Sequence, residues 1–169
     1  MAAERTGILL VLDRDGPSSD LIERGVRVWK ADGGGTVRVL YLLPSLPPEL
    51  LEFGGAENPA VERAMDAQLK DRQDAWAAER DARARAALER AAADLRRAGI
   101  PPDAIELEHS EATLSPHSAE ALADDILRLA TADGRRTVVV RRGRETSTGE
   151  DVAAALAARE RDITVSLVG

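Results

Sequence analysis

Two stretches of this sequence hold residue types whose spacing could do chemistry. The first is Asp13, which directly follows the apolar run Ile8 to Leu12 (ILLVL). A carboxylate at the end of a strand can accept hydrogen bonds from ribose hydroxyls or hold a metal. The same carboxylate can equally satisfy the backbone N–H groups of its own turn. The second stretch is Arg141-Arg142-Gly143-Arg144-Glu145-Thr146-Ser147-Thr148-Gly149-Glu150-Asp151. Its glycines let backbone N–H groups approach an anion, and a helix opening near Gly149 points its positive end there. Five arginines fall between Arg135 and Arg144, in a chain whose net charge is −7. The competing reading is a capping box, with Ser147 or Thr148 as cap and Glu150 or Asp151 reaching back. Those two acids suit a helix start and repel phosphate.

Other chemistries are excluded by what the sequence lacks. There is no cysteine, so thiolate nucleophiles, disulfides and cysteine-zinc sites are ruled out. Gly143 and Gly149 are not followed by Lys-Ser or Lys-Thr, so the loop is not a P-loop, and no G-x-G-x-x-G follows the first strand. His109 and His117 stand apart from any ligand cluster and read as ordinary polar residues. No serine sits in a nucleophile elbow. A phosphoacceptor receiver domain would need a lysine after its fifth strand, and none is there. Nothing therefore points to a catalytic group.

Composition narrows the partners. Aromatic residues are 2% of the chain, too few to stack bases, and the net negative charge opposes nucleic acid and anionic membranes. The longest apolar runs are far short of the ~20 residues that span a bilayer. The opening MAAERTG leads straight into a strand, so no signal peptide is expected and the chain reads as cytoplasmic.

The elements that must position Asp13 and the arginine loop are legible from periodicity. Ile8 to Leu12 and Thr137 to Val140 are continuous apolar runs, which suit strands buried on both faces. Thr36 to Leu43 is a second strand. Ala104 to His109 and Ile163 to Val168 alternate, as edge strands do. Ser18 or Ser19 can cap a helix that runs to about Asp32 and stops at Gly33-Gly34-Gly35. Pro44 to Pro59 is a proline-rich loop, with part of it read as mobile. From about Ala60 to Ala98 the composition is strongly helical. Its apolar stripe shifts: Val61, Met65, Leu69 and Trp76 lie roughly 100° round from Leu88, Ala91 and Leu95. Either this helix bends near Arg80, or its first half packs on something other than the sheet. A partner subunit is one candidate, with Trp76 the residue to watch, though a core role is more common. A helix opened by Ser115-Pro116 buries Ala121, Leu122, Ile126 and Leu129, and a last helix runs to about Arg159.

Strands separated by helices predict one α/β domain over residues 1–169, a five-stranded parallel sheet with helices on both faces. With apolar strands central, alternating strands outermost and right-handed crossovers, the simplest order is 3-2-1-4-5. The chain then reverses direction between the first and fourth strands. Ligands of open α/β sheets bind at such a switch point, beyond the carboxyl ends of the strands. Asp13 forms one lip of that crevice, and Arg141, Arg142 and Gly143 form the other.

In order and spacing, ILLVLD, VRVLYLLP, the long helix ending DLRRAGI, TVVVRRGR, GEDVAAAL and TVSLVG together resemble the universal stress protein family over nearly the whole chain. The resemblance implies an adenine nucleotide alpha hydrolase-like, Rossmann-like fold and a regulatory or stress-response role. It implies a homodimer formed by pairing the last strands, here Ile163 to Val168, where an open edge invites a second strand. Many members bind ATP through an Asp after the first strand and a loop of the form G-x2-G-x9-G-[ST]. On that pattern the cofactor-binding positions are Asp13, Leu42, Val140, Arg141, Arg142, Gly143, Gly149 and Glu150. Val140 replaces the first Gly of the loop, so backbone cannot approach phosphate as freely. Gly143 matches the second, and Gly149 the third after a shortened spacer. Glu150 replaces the hydroxyl residue and puts a negative charge near the expected phosphates. The expectation is therefore a degenerate site that binds ATP weakly or not at all, with no firm cofactor. The alternative is an ATP-binding member whose arginines replace the backbone contacts, with slow hydrolysis. An unidentified protein partner fits the regulatory role.

Overall fold

The computed structural model describes residues 7–12, 16–51, 55, 57–110, 118–132, 134–135, 137–141, 152–159 and 163–169. Its strands are β1 (Ile8–Leu12), β2 (Val37–Tyr41), β3 (Ile105–His109), β4 (Thr137–Arg141) and β5 (Thr164–Val168). Its helices are α1 (Ser19–Ala31), α2 (Pro59–Arg97), α3 (Ala119–Ala132) and α4 (Val152–Ala157). All strand pairs are parallel and the order is β3-β2-β1-β4-β5, as the apolar patterning predicts.

Successive side chains of a strand point to opposite faces, and this divides the core in two. Ile8, Leu10, Leu12, Val37, Val39 and Val139 pack with residues of α1 and α2. Leu9, Val11, Leu40, Val138 and Val140 pack with α3 and α4. Gly25 lets α1 come close to the first of these layers: a Cβ there would meet Leu10 Cδ1 at 3.1 Å. The strand β1 is buried along its whole length, which is why its sequence is continuously apolar. β3 is outermost, and its Glu106 and Glu108 form an ionic network with arginines on the same side of the sheet as Leu40. Arg38 of β2 reaches Glu106 at 3.0 Å and Glu108 at 3.1 Å, and Arg135 reaches Glu106 at 2.7 Å.

The long helix α2 is one unbroken element of 39 residues, with no interruption near Arg80. At 1.5 Å per residue it is about 58 Å long. Asn58 caps it by accepting the Ala60 N–H at 2.9 Å, and Pro59 follows at the first turn. It ends at Gly99, whose φ of +96° suits glycine, with the Ile100 N–H donating to the Leu95 carbonyl at 3.1 Å. Its fully buried residues all lie in the second half, from Ala84 to Leu95. The first half is largely exposed, Val61 being 48% exposed, and among the described residues it touches the proline-rich segment. Residues 44–51 include a short 3-10 turn, Pro48–Leu50, and bury Leu46 and Leu50. Gln73 Nε2 donates to the Leu50 carbonyl at 2.7 Å, tying this strap to α2. Trp76 is half-buried beneath the Arg80 guanidinium, 5.2 Å from its ring centroid.

Two local expectations are corrected. Ser18 stands at the N-cap of α1, yet its side chain makes no capping bond, and its Oγ has no partner among the described residues. On α3 the buried residues are Ala119, Ala123, Ile126 and Ala130, while Ala121, Leu122 and Leu129 are only half-buried. Small alanines let α3 lie close against α4, which turns the larger leucines to the margins of the cluster. The Ser115-Pro116 start of this helix lies outside the described residues.

Candidate functional site

The sheet order places the reversal of chain direction between β1 and β4, where sequence reasoning put it. Among the described residues these two strands pair over Ile8–Leu10 and Thr137–Val139. Each strand has stronger company on its other side. β1 pairs with β2 through Leu12↔Tyr41, and β4 pairs with β5 through Arg141↔Val168. The carboxyl ends of β1 and β4 are thus held from their outer sides, while the seam between them is the shorter ladder. An open α/β sheet presents its crevice at this kind of seam.

Of the candidate residues, Leu42, Val140 and Arg141 fall among those described. Asp13, Arg142, Gly143, Gly149 and Glu150 lie outside the described residues. Val140 is 6% exposed and belongs to the cluster under α3 and α4, so the position matched to the first loop glycine carries a packed side chain. Arg141, the last residue of β4, is half-buried. Leu42 is half-buried on the same side of the sheet and packs against the same cluster as Val140. Its N–H donates to the Leu12 carbonyl at 3.4 Å, which carries the β1–β2 ladder one residue past Tyr41.

The arginines do not act as one group. Arg135 precedes β4, at the opposite, amino-terminal edge of the sheet, where it is 4% exposed and paired with Glu106. Five residues of strand, about 17 Å at ~3.3 Å each, separate that edge from the carboxyl end of β4. Arg135 is a structural cation, and Arg141 is the described arginine that stands at the crevice.

Sequence reasoning missed Ser110. Its N–H donates to the Tyr41 carbonyl at 2.9 Å, and its Oγ accepts the Leu43 N–H at 2.8 Å. A polar residue one step past an alternating edge strand is the signal that could have found it. His109, beside it, is exposed. No group of three or more His, Asp or Glu able to hold a metal occurs among the described residues. A cavity of about 600 Å³ lies along α2 between Arg83 and Ala93, and two of its lining residues stand beside Gly16, four residues past the end of β1: a Cβ on Gly16 would meet Arg90 Nη2 at 3.0 Å and Ala87 Cβ at 3.4 Å. The described residues that line it all belong to α2.

No helix of the described residues is long and apolar enough to cross a membrane. No family model and no curated protein matches the sequence. Solved structures do match the fold. A universal stress protein from Archaeoglobus fulgidus superposes with a TM-score of 0.54 at 16% identity, covering 97% of this chain and 93% of its own. A universal stress protein in complex with cAMP gives a TM-score of 0.54 at 17% identity, covering 99% of both chains.

Proposed function

We propose that this chain is a universal stress-type regulatory module, not an enzyme, which takes an adenine nucleotide weakly at the crevice between β1 and β4 and works as a homodimer. The observation that carries the reading is the chain reversal at β1 and β4, with the short ladder between them. The sequence supplies Asp13 at the end of β1 as the ribose ligand. The stress-protein fold and a neighbour that holds cAMP support an adenine nucleotide as the ligand class.

The expected order of affinity follows from charge. Val140 denies a triphosphate close backbone contact, and Glu150 repels it. A cyclic monophosphate carries one negative charge and needs far less of the loop. Calorimetric titration is expected to show cAMP binding about tenfold tighter than magnesium-ATP, a difference of about 1.4 kcal/mol. Asp13→Ala is expected to abolish the heat. Absence of heat with either ligand at millimolar concentration would sink the nucleotide reading. Tighter binding of ATP would instead favour the alternative, in which Arg141, Arg142 and Arg144 hold the phosphates and hydrolysis follows. The half-buried Arg141 at the end of β4 is the feature in its favour.

The dimer reading rests on β5 as an outer strand with half-buried Val165 and Leu167. Lysine on an edge strand opposes edge-to-edge pairing. Val165→Lys is expected to sediment as a monomer where the parent chain sediments as a dimer. A parent monomer, or a Val165→Lys dimer, refutes this interface.

A further inference from the structure

The second half of α2 alone matches the height of the sheet. Ala84 to Leu95 is about 18 Å of helix, against roughly 17 Å for a five-residue strand. The first half therefore runs on past the strands, and its two sides differ. Leu69, Gln73, Trp76 and Arg80 recur on one side and are half-buried, with Gln73 tied to the strap. On the opposite side, at about 100° per residue, Ala64, Ala67, Asp71, Ala75 and Ala78 are all exposed. The pattern of that side is the same in both directions about Asp71, with alanine four and seven residues before it and after it.

The charges beside this row identify what fits it. Along one flank run Arg63, Lys70, Asp74 and Asp81, two cations and then two anions, all exposed. Turned end for end, this order is its own complement. In an antiparallel pair with a two-fold axis at Asp71, each flank meets the same flank of the other copy. Arg63 then lies within about 3 Å, measured along the helix, of Asp81 of the second copy, and Lys70 within about 3 Å of its Asp74. Within one chain Lys70 and Asp74 meet at 3.1 Å, yet their side chains stay 75% and 68% exposed. Asp81 holds Arg80 at 2.7 Å and stays 53% exposed. All three can therefore be shared across the pair.

We propose that this face of α2 docks a second copy of the chain, antiparallel and centred on Asp71. The charges set the register, and the alanines let the helices approach closely. Each alanine buries little area, so the pairing is weak and reversible. The two Asp71 carboxylates oppose it further, although Lys70 and Arg72 of the other copy bracket them. The face is separate from the β5 edge and does not depend on a nucleotide.

A weak pairing is read by disulfide trapping, which is clean here because the chain has no cysteine. Under mild oxidation Asp71→Cys is expected to form a linked dimer, since the axis passes through that position. Ala67→Cys is expected to stay unlinked, because its two copies stand about 12 Å apart along the helices, beyond the reach of a disulfide. Ala75→Cys is expected to behave likewise, and the two proteins to link to each other on mixing. Arg63→Asp is expected to lower the linked fraction of Asp71→Cys at least about fivefold, and adding Asp81→Arg to restore it. The same results are expected in a Val165→Lys background, where the β5 edge is blocked. Absence of a link in Asp71→Cys, with helix content by circular dichroism equal to the parent, refutes the pairing. Ala67→Cys linking to itself as readily as Asp71→Cys refutes the antiparallel register. Loss of the link in Val165→Lys assigns it to the β5 dimer and refutes the α2 face.

Discussion

Leu95→Ala is expected to lower the stability of the chain by about 3 kcal/mol, whereas Leu69→Ala, on the same helix, costs under about 1 kcal/mol. Both remove the same atoms from α2. Leu95 is 0% exposed in the layer shared with Ile8, Val37 and Ile100, so its loss leaves a cavity walled by rigid strands. Leu69 is half-buried in the half of α2 that has no fully buried residue. Water can fill the space that its truncation leaves. Urea denaturation followed by circular dichroism reads both values. Equal losses would mean that the two halves of α2 are docked alike, against the division seen in the structure.

Glu106→Ala is the second large effect, with an expected loss of about 2–3 kcal/mol. The Arg135 guanidinium is 4% exposed and its short contact is to Glu106 Oε2 at 2.7 Å, with Thr36 Oγ1 at 3.4 Å. Removing the carboxylate leaves a buried cation with a diminished set of acceptors. Glu106 itself is 42% exposed, so water recovers part of the loss, and the figure sits below that for a fully enclosed pair. The double variant Glu106→Ala with Arg135→Met is expected to recover at least half of the stability, since no buried charge then remains. A single variant within about 0.5 kcal/mol of the parent would show that Arg135 finds other company at no cost. This network lies at the amino-terminal edge of the sheet, so nucleotide affinity measured well below the melting temperature is expected to be unchanged. That separation distinguishes the structural arginine from Arg141 at the other edge.

The two predictions mark where local pattern and tertiary contact part ways. The strands were legible because burial on two faces demands a continuous apolar run, as in Ile8 to Leu12, and Ala104 to His109 alternates as an outer strand does, although its Leu107 is 44% exposed and its Glu106 and Glu108 are half-buried. Central and outer positions followed from the same rule, and with them the order 3-2-1-4-5 and the seam that the site needs. The long helix was legible as well, even to the shift in its apolar stripe. What covers its first half was not, because the strap at 44–51 is a proline-rich loop whose Leu46 and Leu50 carry no period to read.

The crevice on which the sequence reading centred thus divides in the same way. The sequence by itself determined its place, since the reversal between the first and fourth strands follows from hydrophobic period and the handedness of crossovers. Set beside the universal stress protein pattern that the sequence resembles, Val140 and Glu150 stand where that pattern has a glycine and a hydroxyl residue. Only the tertiary structure decided which of the described residues lie near one another. Arg135 and Arg141 are six residues apart in one basic run, yet an extended strand puts them at opposite edges of the sheet, one beside Glu106 and one at the crevice. Ser110 is far from Leu43 in sequence and reaches it because β2 and β3 lie side by side in register from Val37↔Ile105 to Tyr41↔His109. Period is a property of neighbouring residues and survives in the sequence. A hydrogen bond between strands depends on register across a long connection, and the chain must fold before that register exists.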